Sequence, residues 1–124
     1  MSDSYLKGLK QISDVDPDGG PAFVEELKKI SPDFAEYFVG FAFGKIHART
    51  ILNPKFKELI AIATLISLGE GKSHLQLRIQ AARRAGCSKE EIMEVVIQSI
   101  VYVGFTRALI ALHLVKEAYE ELEK

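Results

Sequence analysis

Cysteine is nearly absent from the 124-residue chain: Cys87 stands alone. That excludes an intrachain disulfide and any Cys-x-x-Cys redox pair. Charge of either sign is not in excess either, the net being −1 at pH 7. No basic block, RNA-type aromatic motif or zinc-ligand spacing occurs, so neither nucleic acid nor a metal is an expected partner. Long apolar runs are missing as well. The stretch from Ile92 to Val115 is interrupted by Glu94, Gln98, Arg107 and His113, short of the roughly 18 uncharged residues that suggest a membrane span. The N-terminal MSDSYLKGLKQISD is polar and amphipathic and has no apolar core of signal-peptide type. A cytoplasmic protein without membrane contact is the expectation.

Strand-like alternation flanked by hairpin turns is the last absence, and what remains is helical punctuation. Hydrophobic residues make up 48% and charged residues 27% of the chain, the balance of a soluble globular protein with one real core. Tyr5 to Ile12 reads as a short amphipathic helix, stopped by the turn-rich segment from Asp14 to Pro21. A second helix runs from Pro21 to about Lys29. Ser31-Pro32, a cap followed by proline, opens a third whose Phe34, Tyr37, Phe38 and Phe41 fall at i, i+3, i+4 and i+7. Asn53-Pro54 repeats the device for a fourth helix to about Leu68, apolar on nearly every side. A fifth spans Lys72 to Ala85. The capping box Ser88-Lys-Glu-Glu91 starts a sixth, which runs to about Val103, and Gly104 marks a break before a final helix to Leu122. The expected fold is all-α, a bundle of six to seven helices in one domain (1–124), with N-terminal helices over 1–50 and a core region over 53–122.

Four segments together resemble a known family. They are Phe41-Ala-Phe-Gly44-Lys-Ile-His47-Ala-Arg49, Lys57-Glu58-Leu59-Ile60, Ala81-Ala82-Arg83-Arg84-Ala85-Gly86-Cys87-Ser88-Lys89-Glu90-Glu91-Ile92, and Gln98-Ser-Ile-Val-Tyr102-Val-Gly104-Phe105. In this order they are similar to the carboxymuconolactone decarboxylase superfamily, which also contains the alkyl hydroperoxidase D proteins. The resemblance implies an all-helical fold assembling as homotrimers or homohexamers, with sites near subunit interfaces. It also implies cofactor-free decarboxylation of a small carboxylate or lactone, or else thiol peroxidase chemistry. Redox members carry a Glu, then Cys-x-x-Cys-x-x-x-His on the next helix. Glu58 matches that Glu, although the intervening loop is about one residue longer here. Gly71 and His74 stand at the cysteine positions, and Arg78 stands at the histidine. A peroxidase route would therefore have to use Cys87 alone or with a partner's thiol.

Polar groups inside apolar helices need a partner or a task. His74 and Arg78 lie four apart on one face of the fifth helix, and an antiparallel neighbour sets Glu58 within reach of Arg78. Two readings stand. In one, Arg78 clamps a substrate carboxylate while His74 or Glu58 moves a proton. In the other, Glu58 and Arg78 tie two helices together and His74 is a surface residue, which makes the chain a non-catalytic, oligomeric binding protein. Among the remaining residues, His47 and Arg49 follow Gly44 near a helix end. His113 is expected as a hydrogen-bonded residue of the core or an interface, and Tyr102 in the core, with its hydroxyl able to reach a pocket. Gln98 is either an interhelical bond or a pocket wall, and Cys87 sits between a helix-ending glycine and an N-cap, a structural position. The apolar sixth helix and the Phe34/Tyr37/Phe38/Phe41 stripe leave two uses open, intrachain core or burial between subunits.

Overall fold

The computed structural model describes residues 2–69 and 71–122, and every regular element in them is helical. The chain forms two compact units, Met1–Leu52 and Asn53–Lys124.

In the first unit, Ser2 caps α1 (Asp3–Val15) by accepting the Tyr5 N–H at 3.2 Å. Helix α2 (Gly20–Ile30) follows with proline in its first turn. Ser31 then caps α3 (Pro32–Glu36) through the Phe34 N–H. Tyr5, Ile12, Val24 and Val39 form the core, with Leu9, Phe38 and Phe43 against it.

The third helix departs from the expected winding. After Glu36 the chain continues as a π-helix, Tyr37–His47, rather than an α-helix. Its buried residues, together with Ala35, are Val39, Gly40 and Gly44. They recur every four to five positions, closer to the i→i+5 bonding of a π-helix than to a period of 3.6. The packing against α1 explains the glycines: a Cβ on Gly8 would strike the Val39 carbonyl, and one on Gly44 would strike that of Ser4. Backbone rests on backbone there. Phe38 meets Phe23 and Phe43 with ring centroids 5.6 and 5.1 Å away, whereas Phe34, Tyr37 and Phe41 remain exposed.

The second unit packs three helices. Asn53 caps α4 (Pro54–Leu68), accepting the Phe56 N–H at 3.1 Å. Helix α5 (Lys72–Arg84) follows. The Ser88–Glu91 capping box closes reciprocally at 3.0 and 2.9 Å and starts α6 (Lys89–Leu122). Ile62, Ile66, Leu75, Ile79, Ile92, Val96, Ala111 and Val115 lead a continuous core. Gly104 interrupts α6 with φ 84° and ψ 170°, a conformation essentially reserved for glycine. By length and composition α6 could cross a membrane, yet both its halves send side chains into this core.

One placement differs from that expected. Tyr102 is 84% exposed rather than in the core. It lies on the outer side of α6, just before the break. His113 is also exposed, its Nδ1 2.9 Å from the Leu109 carbonyl. Leu109 and Leu112 face outward with it, whereas Ala111 and Val115 of the same run enter the core.

Candidate functional site

Glu58 lies in the second turn of α4, in line with Ile62 and Ile66, which carry the helix's buried face. It is only 4% exposed. Arg78 approaches from α5 and sets one nitrogen, Nη1, across both carboxylate oxygens, 3.3 Å from Oε1 and 3.4 Å from Oε2. The contact is longer than a tight charge-assisted bond and lacks the two-nitrogen fork of a bidentate clamp. Among the described residues the Nη2 and Nε donors of Arg78 make no hydrogen bond, and the side chain keeps 22% of its exposure. One edge of the guanidinium thus anchors to the protein while the other still presents donors.

His74 does not join the pair. It sits one turn before Arg78, in the first turn of α5, exposed and without a hydrogen bond among the described residues. Glu58 and Arg78 are therefore brought together, and His74 borders them along the same helix. Among the described residues no three His, Cys, Asp or Glu side chains converge to hold a metal.

Cys87 is buried, with Sγ 3.7 Å from the Lys55 carbonyl, to which it donates. Burial pushes its pKa up, with Glu91 adding in the same direction against Lys55. These surroundings suppress the thiolate that peroxide chemistry needs. In the other unit, His47 holds its Nδ1 2.7 Å from Gln11 Oε1 and packs on the Phe43 ring.

A feature that the sequence did not reveal lies between α4 and the first half of α6. There, Leu59, Ala63, Val95, Gln98, Ser99 and Tyr102 help line a groove of about 480 Å³. Glu58, His74 and Arg78 do not line it. Two signals were present: the Tyr102 hydroxyl, expected to be able to reach a pocket, and Gln98, a polar residue in an apolar helix whose amide donates to Glu94 at 2.9 Å. Glu91, at one end of the groove, has its pKa lowered by the Ser88 N–H and then by Lys55, 3.0 Å away. A depressed carboxyl contributes stability above its unfolded pKa and loses it as pH falls through the lowered one, so this cap weakens only in acid.

The profile of the carboxymuconolactone decarboxylase family matches residues 32–117, a span that includes Glu58, His74 and Arg78. A curated relative, the 4-carboxymuconolactone decarboxylase of Acinetobacter baylyi, is 27% identical over 99 residues, covering 80% of this chain and 73% of that protein. With the all-helical fold and the ordered segments around Glu58, Gly86 and Gln98, the match over more than half of its length places the chain in the carboxymuconolactone decarboxylase family.

Proposed function

We propose that the protein is a soluble, cytoplasmic decarboxylase that works without a cofactor on a small carboxylated lactone. The observation that carries this reading is the half-used guanidinium of Arg78: Nη1 is fixed on Glu58, and the Nη2 and Nε edge is still able to donate. That edge suits a planar carboxylate or a developing enolate oxygen. Loss of carbon dioxide breaks the bond between the carboxylate carbon and its neighbour. The electron pair moves into the conjugated lactone carbonyl and gives a dienolate. A guanidinium on that oxygen lowers the barrier because the charge there grows in the transition state. The departing carboxylate must lie elsewhere, since its charge disappears. Glu58 acts as the positioning group for Arg78, and His74 delivers a proton to carbon and recovers it from solvent.

The relative's name supports this substrate class for a chain of the same family. A second reading has its own support in the missing link to His74: the Glu58–Arg78 pair would be a helix tie in a non-catalytic binding protein. Calorimetric titration with an unsaturated lactone carboxylate separates the two, using wild type and Arg78→Lys. Lysine keeps the charge beside Glu58 but removes the outer fork. Binding about tenfold weaker in the variant, at unchanged thermal stability, is expected if the outer edge of Arg78 holds the lactone carbonyl. Equal binding, or none by either protein, favours the tie.

A further inference from the structure

Where the end of α4 meets α5 and the second half of α6, there is a pocket of about 140 Å³. Glu58, His74 and Arg78 do not line it, so it has no role in the reaction proposed above. Its lining runs from surface to core. Gly69, Arg107 and Ile110 are exposed. Ile66, Leu75 and Ala111 belong to the core, and Leu114 packs against it.

Arg107 carries the only charge among the described lining residues. Its Nη1 donates at 2.8 Å to the Ser67 carbonyl, one of the last carbonyls of α4, which find no partner within a helix. Gly69 makes room for the guanidinium. It ends α4 with φ 73°, and a Cβ built there would lie 2.6 Å from Nη1 and 3.2 Å from Cζ. One nitrogen is thus held, while Nη2 and Nε make no hydrogen bond among the described residues. No carboxylate among those residues pairs with Arg107 either.

A capping arginine alone requires no hollow beneath it, because side chains ordinarily close such space. Water is a poor tenant for this one, since each ordered molecule needs two or more polar partners and the floor is aliphatic. An aliphatic cavity of about 150 Å³ admits a molecule the size of benzene. The rim offers a planar donor edge that suits a carboxylate. Charge above and hydrocarbon below describe one amphipathic anion.

We propose that this pocket binds a small monocarboxylate of roughly four to seven carbons. Its carboxylate sits on the free edge of Arg107, and its alkyl or phenyl group rests on Ile66, Leu75, Ala111 and Leu114. The site stands whether or not the decarboxylase reading does.

Methyl-resolved NMR titration of the whole chain with isovalerate tests it. Ile66, Leu75 and Leu114 report on this pocket, whereas Leu59 and Ile79 adjoin Glu58 and Arg78 in sequence and report on that pair. Saturable shifts are expected at the first set, with half-saturation at roughly millimolar concentration. Isovaleramide, which keeps the tail without the charge, and acetate, which keeps the charge with almost no tail, should each bind about tenfold or more weakly. Arg107→Gln retains a donor for Ser67 and should weaken isovalerate binding by a similar factor. Leu114→Phe leaves Arg107 in place, fills the floor and should abolish the shifts. If Arg107→Gln disturbs the end of α4, Leu114→Phe and the amide comparison still decide. Shifts that never saturate, an amide that binds as well as the acid, or unchanged binding in either variant overturns the proposal. So do shifts confined to Leu59 and Ile79, which would put the carboxylate at Arg78 and leave the decarboxylase reading intact.

Discussion

Burial separates the polar side chains of the second unit into three kinds. Glu58 is enclosed and paired, Arg78 is anchored at one nitrogen, and His74 faces out. Removing one member of such a pair leaves the other charge less well compensated, which is destabilising. For that reason Arg78→Lys is the informative variant and Arg78→Ala the disruptive one. The pairing was legible in the sequence: capped helices joined by a short glycine turn run back along each other, which puts the start of α4 opposite the end of α5. His74, one turn earlier on α5, is exposed and makes no hydrogen bond to α4 among the described residues. The fate of Cys87 was legible too, as a thiol between a helix-ending glycine and a cap. Its burial and raised pKa mean that a neutral-pH thiol reagent should modify it more slowly than an unfolded cysteine. The sign for stability is equally definite: a thiol favoured in its protonated form stabilises the fold below its unfolded pKa, and this contribution is lost as pH rises through the folded one. Cys87→Ser should consume peroxide no more slowly than wild type. A faster wild type would restore a thiol role.

At the scale of helices, caps were the readable part and winding was not. Ser31, Asn53 and Ser88 start helices where their side-chain oxygens predict, because an N-cap is a local bond between near neighbours. The π-helix at Tyr37–His47 escaped because the aromatics fit an α-helical stripe, while the spacing of Val39, Gly40 and Gly44 against α1 is a tertiary demand. The break at Gly104 was legible as a glycine in an apolar run, although its geometry was not. With φ 84° and ψ 170° and no atom within 4 Å of a built Cβ, Gly104→Ala meets backbone strain and no clash. A loss of about 1–3 kcal/mol is expected in chemical denaturation. An unchanged midpoint would mean that the second half of α6 reorients at little cost.

For the whole molecule, the sequence carried the family and the helical class, but it did not determine which apolar surface faces what. Tyr102 read as core because an apolar helix is buried either within its own unit or against another chain, and the two leave the same pattern of residues. The proposed reaction depends on the outer edge of Arg78. It is tested most directly by release of carbon dioxide from an unsaturated carboxylated lactone, measured on wild type, Arg78→Lys and His74→Ala with no metal or cofactor added. Turnover by wild type is expected, with a fall of about a hundredfold or more in Arg78→Lys and a smaller fall in His74→Ala that a small exogenous imidazole partly restores. No release by wild type, or equal release by Arg78→Lys, would contradict the assignment of Arg78 as the group that stabilises the dienolate.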